Sequence, residues 1–157
     1  MSQQQNAAPS QEEVERRSRE WVQKEYARAL THLANMGIQQ VGVTQSESRV
    51  LPPLVALWRC HGKLDGKNTE LWVVTGQDIP VDHIAVSAAN NARDAMRNLF
   101  MNWQLKAARL EQGLAANRLE LGSAELQQNY IKSLITAAER LAQLVETPTL
   151  WPEFQKA

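Results

Sequence analysis

Two stretches rich in Val, Leu and Trp, residues 54–64 and 67–75, flank the dipeptide Asp65-Gly66. Asp and Gly tolerate the positive φ angles of a two-residue type I′ turn, so the pattern predicts an antiparallel β-hairpin over about residues 54–75. This turn also fixes the register, since directly opposed residues share a face. The predicted pairs are Leu64 with Lys67, His61 with Glu70, Arg59 with Trp72, Trp58 with Val73 and Leu57 with Val74. A longer connection, with His61 to Asn68 all in the loop, would shift these pairs.

Alternation along the two strands divides this hairpin into two faces. One face is almost entirely apolar and must be covered: Leu54, Ala56, Trp58, Cys60, Leu71, Val73 and Thr75. The other face is apolar at Val55, Leu57, Trp72 and Val74 and becomes polar near the turn at Arg59, His61 and Glu70, so we expect it to be half covered. A lone two-stranded ribbon is marginal in water, and helices must therefore supply the rest of the core.

Apolar residues at helical spacing predict three helices outside the hairpin. Ser10 with Glu13 starts the first helix and Gly37 ends it. Ser87 or Asn91 starts the second, whose end is marked by Gly113, Asn117 and Gly122. Ser123 starts the third, and Pro148 stops it. Val41 and Val43 alternate as in a short strand, but the signal is too weak to assign one. The fold class is therefore α+β, with three main helices packed around a small antiparallel β-hairpin.

Domain organisation follows from length and from the two ends of the chain. Residues 1–9 are polar and small and should be a disordered tail, whereas residues 10–157 should form a single α+β domain. Trp151 and Phe154 near the C-terminus would be wasted in a free end, so we expect this segment to dock on the domain.

Charge and cysteine content narrow the classes of function. Seventeen basic and seventeen acidic residues leave no net charge, which argues against nonspecific binding to nucleic acid or to a membrane surface. The single cysteine excludes an internal disulfide, and neither a signal peptide nor a transmembrane run is evident, so we expect a cytoplasmic protein.

A metal site from Cys60, His61, Asp78, Asp82 and His83 is disfavoured by the predicted hairpin. Cys60 and His61 would point to opposite faces near the turn, and the other three follow the far end of the second strand, roughly 20 Å away. We therefore predict no metal and no cofactor.

The segment after the hairpin supplies the candidate ligand-binding residues, which are Asp78, Asp82, His83, Arg93 and Arg97. Carboxylates and an imidazole between a strand and a helix could support acid/base chemistry, and two arginines at a helix start could bind an anion. A structural turn around Pro80, and ion pairing of the arginines with Asp78, Asp82 or Asp94, explain the same residues. No residue is assigned a catalytic role, and no nucleophile elbow, P-loop or zinc-protease pattern is present.

The order of the segments WVQKEYARAL, RVLPPLVALWR and ELWVVTGQDIPVDHI, followed by a helix that contains a tryptophan, resembles an uncharacterised proteobacterial family of domains of unknown function. The resemblance covers roughly residues 21–114, and its strongest part is the tryptophan strand followed by a Gly-Asp-x-Pro-x-Asp-like turn. It implies a fold and no activity.

The function that we expect from these features is that of a small noncatalytic module that binds a protein, of the adaptor or immunity type. Five tryptophans suit protein recognition in a neutral domain, and self-association stays open. The alternative is a small anionic-ligand-binding protein, or a weak enzyme, that uses the 78–97 region.

Overall fold

The structure is a computed structural model that describes residues 8–115 and 124–154. These residues form three long helices and a five-stranded antiparallel sheet. In chain order the elements are α1 (Gln11–Asn35), β1 (Gln39–Val43), β2 (Arg49–Leu51), β3 (Val55–Leu64), β4 (Lys67–Gly76), β5 (Asp82–Ala85), α2 (Ala92–Ala115) and α3 (Ala124–Val145). The α+β class is confirmed, while most of the N-terminal tail and the Ser123 start of the third helix lie outside the described residues.

The predicted hairpin is β3 and β4, joined at Asp65 and Gly66. Both turn residues have positive φ, 52° and 78° respectively, as a type I′ turn requires. All five predicted residue pairs are present, because a two-residue turn leaves no freedom to slip the register. The Arg59 guanidinium also lies 5.4 Å from the centre of the Trp72 ring, which is a cation–π contact across this pair.

The sheet extends beyond the hairpin on both sides. β1 and β2 both pair with β3, and β5 pairs with β4, so that the long hairpin forms the centre of the sheet. The weak Val41 and Val43 signal was therefore a strand, interrupted by an irregular register between Gln39 and Gly42. β5 has only four residues and two of them are polar, which is why its sequence resembles a loop.

Helices cover both faces of the sheet. α1 packs on the apolar face through Ala29 and Leu33, which join a cluster with Ala56, Trp58 and Val73. α2 and α3 pack on the opposite face, where they bury Val55, Leu57, Trp72 and Val74 in the larger core cluster. This second face is half covered, as expected, since His61 and Glu70 near the turn are exposed. On the first face, Leu54 is 42% exposed because it precedes β3.

Helix ends follow the local signals, except that α2 continues past Gly113 to Ala115. The Ser10 hydroxyl accepts a hydrogen bond from the backbone N–H of Glu13 at 3.2 Å, and Gly37 follows α1 with a φ of 86°. Asn91, rather than Ser87, caps α2, since its Oδ1 accepts from the N–H of Asp94 at 2.9 Å.

The C-terminal segment docks on the domain through Trp151. This side chain is fully buried, and its Nε1 donates to the Leu144 carbonyl at 2.9 Å. The side chain of Phe154 lies outside the described part of the chain. In the described stretches, no helix combines the length and the apolar character that crossing a membrane requires.

Candidate functional site

Asp82 and His83 are neighbours on β5, and their side chains point to opposite faces of the sheet. Asp82 pairs with Val74 on the α2 side, where its Oδ2 accepts a hydrogen bond from Trp103 Nε1 at 2.8 Å. His83 pairs with Val73 on the α1 side. The carboxylate and the imidazole that the sequence places side by side therefore do not converge on one site.

His83 instead contacts His32 of α1. His32 Nε2 and His83 Nδ1 are 2.9 Å apart, so one imidazole donates and the other accepts. Burial is the main reason that the pKa of His32 is lowered, the nearby His83 lowers it further, and Asp82 opposes the shift. The contact thus favours a neutral His32 imidazole and joins α1 to the edge of the sheet.

Arg93 and Arg97 lie in the first turns of α2, and both make contacts within the chain. Arg93 donates to the Val145 carbonyl at the end of α3, from Nε at 3.1 Å and from Nη2 at 2.7 Å. Arg97 Nη1 lies 2.8 Å from Asp94 Oδ1. The first arginine thereby ties α2 to α3, and the second forms an ion pair along its own helix.

Asp78 lies apart from the other four predicted residues, in the turn between β4 and β5. It has a positive φ of 59°, which Asp tolerates better than most residues, and its side chain is exposed. Cys60 is buried and His61 is exposed, on opposite faces of β3. The described residues contain no group of three or more His, Cys, Asp or Glu that could hold a metal ion.

A long groove runs along α1 beside the connection between β4 and β5, and we call it the α1 groove. It consists of two adjoining hollows of about 680 and 470 Å³ that share Lys24 and Arg28. The α1 side is lined by Trp21, Lys24, Glu25, Ala27, Arg28, Thr31, His32 and Asn35, and the other side by residues 76–81 with Tyr130 and Ser133 of α3. Most of these α1 residues recur every three or four positions, which puts them on one stripe of the helix.

The floor of the α1 groove contains an ion pair. Glu25 is only 2% exposed, and both of its carboxylate oxygens lie 2.9 Å from Arg28 Nη1. The same Nη1 donates to the carbonyl of Gly76 at 2.9 Å, so the pair also fastens α1 to the end of β4. A Cβ atom at residue 76 would lie 2.6 Å from the Leu54 carbonyl oxygen, which is too close, so only glycine fits at this position.

Polar and aromatic groups at the rim of the groove remain available to a ligand. Lys24 and Asp78 are exposed and form no ion pair with any residue of the described ranges. Trp21 and Tyr130 are half-buried, so each presents part of a ring to the groove. The groove can therefore bind apolar side chains beside groups of either charge.

Only Asp78 of the predicted candidates lines this groove. The sequence does carry one signal for it, because Glu25, Ala29 and Leu33 follow each other at intervals of four and are the buried residues of α1. A carboxylate on the buried stripe of a helix needs a partner, and Arg28 is three residues away. The wall at residues 76–81 has no such signal, since it meets α1 only through the tertiary fold.

The chain belongs to the family described as Domain of unknown function (DUF4826), whose model matches residues 15–151. The predicted membership of a family of domains of unknown function is thereby confirmed, and the match extends through α3 and the docked Trp151. Neither the search of curated proteins nor the search of solved structures returned a match.

Proposed function

We propose that this chain is a noncatalytic module that binds a partner protein by holding an extended segment of it in the α1 groove. The observation that carries the proposal is the length of the groove. Its α1 residues extend from Trp21 to Asn35, and fourteen helical steps at 1.5 Å correspond to about 21 Å. An extended peptide of about six residues has this length.

The form of the groove favours a peptide over a small metabolite. Small-molecule sites are typically concave and bury most of the ligand among apolar side chains. Here two adjoining hollows open along the side of one helix, and Lys24, Thr31 and Asn35 at their edge are exposed. Such an open, elongated surface can contact an extended peptide along its length more readily than it can enclose a compact molecule.

The charged groups of the groove favour binding over turnover. Both oxygens of Glu25 already accept from Arg28, which makes this carboxylate a poor general base. Outside the groove, the Asp82 carboxylate accepts from Trp103, and His83 lies on the opposite face of the sheet from Asp82. The proposal includes a bacterial cytoplasmic setting, which suits a chain with one buried free thiol.

A random decapeptide library displayed on phage tests the proposal. Peptides selected on the unmodified protein are synthesised with a fluorescent label, and their binding is measured by anisotropy. Two variants fill the groove from either side, Ser133→Trp in the larger hollow and Thr31→Trp in the smaller one. Gln23→Trp is the matched control, since Gln23 is exposed on the same helix and lines neither hollow.

The expected result is that peptides are selected and that either groove variant weakens their binding at least tenfold, while Gln23→Trp leaves it unchanged. Circular dichroism establishes that all three variants are folded. A selection that yields no peptide, or peptides that bind the groove variants and the control equally, would refute the proposal.

A further inference from the structure

We infer that the segment held in the α1 groove carries an acidic side chain, whose carboxylate binds between the Lys24 ammonium and the outer edge of the Arg28 guanidinium. This inference rests on the proposed function and adds the chemistry of the ligand. The hydrogen bonds of Arg28, the position of Lys24 and the acidic residues nearby support it.

Arg28 uses only one of its nitrogens within the fold. Nη1 makes its bonds to Glu25 and to the Gly76 carbonyl, whereas Nη2 and Nε have no acceptor among the described residues. The side chain is 37% exposed and borders both hollows. A guanidinium that is fixed at one nitrogen and open at the others is ready to bind a carboxylate through two parallel hydrogen bonds.

Lys24 supplies a second cation at the same place. It lies four residues before Arg28, one turn along the same stripe of α1, and like Arg28 it borders both hollows. No carboxylate of the described residues pairs with it. The junction of the two hollows therefore has two cationic groups with unused hydrogen-bond donors, at the middle of the groove.

The acidic residues nearby limit the site to a single carboxylate. Glu25 is neutralised by Arg28 beneath the groove, so it opposes an incoming acid only weakly. Asp78 is exposed at the rim of the larger hollow and repels a second negative charge there. A single acidic residue with apolar neighbours, which can pack on Trp21 and Tyr130, suits this arrangement better than a nucleic acid with a charge at every phosphate.

The labelled decapeptides described above also test the inference. In each selected peptide, Asp is replaced by Asn and Glu by Gln, and both forms are titrated against the unmodified protein and against Lys24→Gln. Lys67→Gln is the matched control, because it removes the same charge at the exposed hairpin turn, away from the groove. Arg28 is left unchanged in this experiment, since its loss also disturbs Glu25.

We expect the selected peptides to share one acidic position, and its neutralisation to weaken binding about tenfold or more. Lys24→Gln should weaken the acidic peptide several-fold and have no effect on its neutral form, and Lys67→Gln should affect neither. Groove-bound peptides with no shared acidic position, or an equal effect of Lys24→Gln on both forms, would overturn the inference and leave the proposed function standing. A selection without groove-bound peptides, or binding of a single-stranded oligonucleotide in their place, would overturn both.

Discussion

The ion pair between Glu25 and Arg28 should couple the stability of the fold to the shape of the α1 groove. Arg28→Met keeps the apolar length of the side chain but leaves a carboxylate that is only 2% exposed without its cation. Removal of one partner of a buried ion pair costs about 3–5 kcal/mol. Since 37% of the Arg28 side chain is exposed, water screens the pair, and we expect a loss of about 2 kcal/mol in the free energy of unfolding.

The complementary variant, Glu25→Gln, should cost less. It buries no charge, keeps one oxygen that accepts from Arg28, and should lower the free energy of unfolding by about 1 kcal/mol. The double variant leaves no unpaired charge, so we expect a loss of about 1.5 kcal/mol instead of the sum of about 3. The coupling energy of the cycle is then about 1.5 kcal/mol.

Urea unfolding followed by tryptophan fluorescence and by far-ultraviolet circular dichroism measures all three variants. Arg16→Met is the control on the same helix, because Arg16 and its partner Glu20 are 57% and 63% exposed. This control should change the free energy of unfolding by less than about 0.5 kcal/mol. A coupling energy within about 0.3 kcal/mol of zero would refute the role of the pair in holding α1 against β4.

Three further predictions concern groups outside the ion pair. Asp82→Ala leaves the Nε1 of the buried Trp103 without its acceptor and should lower the free energy of unfolding by about 1–3 kcal/mol. Asp82→Asn keeps an oxygen at this position and should cost less than half as much. Equal losses of the two variants in urea unfolding would contradict the hydrogen bond. Burial raises the pKa of the Cys60 thiol to about 12. The folded protein at pH 8 should therefore not react with a thiol reagent until urea unfolds it. Fast labelling without denaturant would contradict the burial of this thiol. Burial and His83 lower the pKa of His32 below 6.5, so the unfolded chain binds the proton more readily than the folded protein. The stability that this group contributes is present above about pH 6.5 and should decline as the pH falls toward the lowered pKa. His32→Gln should reduce this decline in melting temperature, and an unchanged slope would exclude His32 as its source.

The hairpin could be predicted from sequence because its determinants are local. Asp65-Gly66 sets the turn, and the alternation of Val, Leu and Trp determines which side chains share a face. Even the predicted residue pairs therefore agree with the structure. β5 could not be assigned in the same way, since four residues that include Asp82 and His83 have no hydrophobic alternation of their own. It becomes a strand because the edge of β4 offers it hydrogen bonds.

The candidate site was predictable only in part, because its walls are far apart in sequence. Asp78 lines the α1 groove. Arg93 instead donates to the end of α3, and Arg97 pairs with Asp94 on its own helix. Arg28 reaches the Gly76 carbonyl across 48 residues of chain, and no pattern in the sequence indicates that contact. The position of Glu25 on the buried stripe of α1 is the one local feature that indicates a paired charge in this part of the helix.

The five tryptophan indoles allow a direct test of the central claim, which is that the α1 groove holds a peptide segment. Four of them donate their Nε1–H inside the fold, namely Trp58 to Thr75, Trp72 to Ala89, Trp103 to Asp82 and Trp151 to Leu144. Trp21 alone of the five lines the groove, and its Nε1 has no acceptor among the described residues.

A selected decapeptide is therefore titrated into the ¹⁵N-labelled protein, and the indole resonances are followed by ¹H–¹⁵N correlation spectra, with Trp21→Phe used to assign the groove signal. We predict that the Trp21 indole resonance shifts progressively on binding, and that the other four shift little. A Trp21 resonance that stays in place while the peptide binds, or a larger shift of any of the four core indoles, would contradict the account.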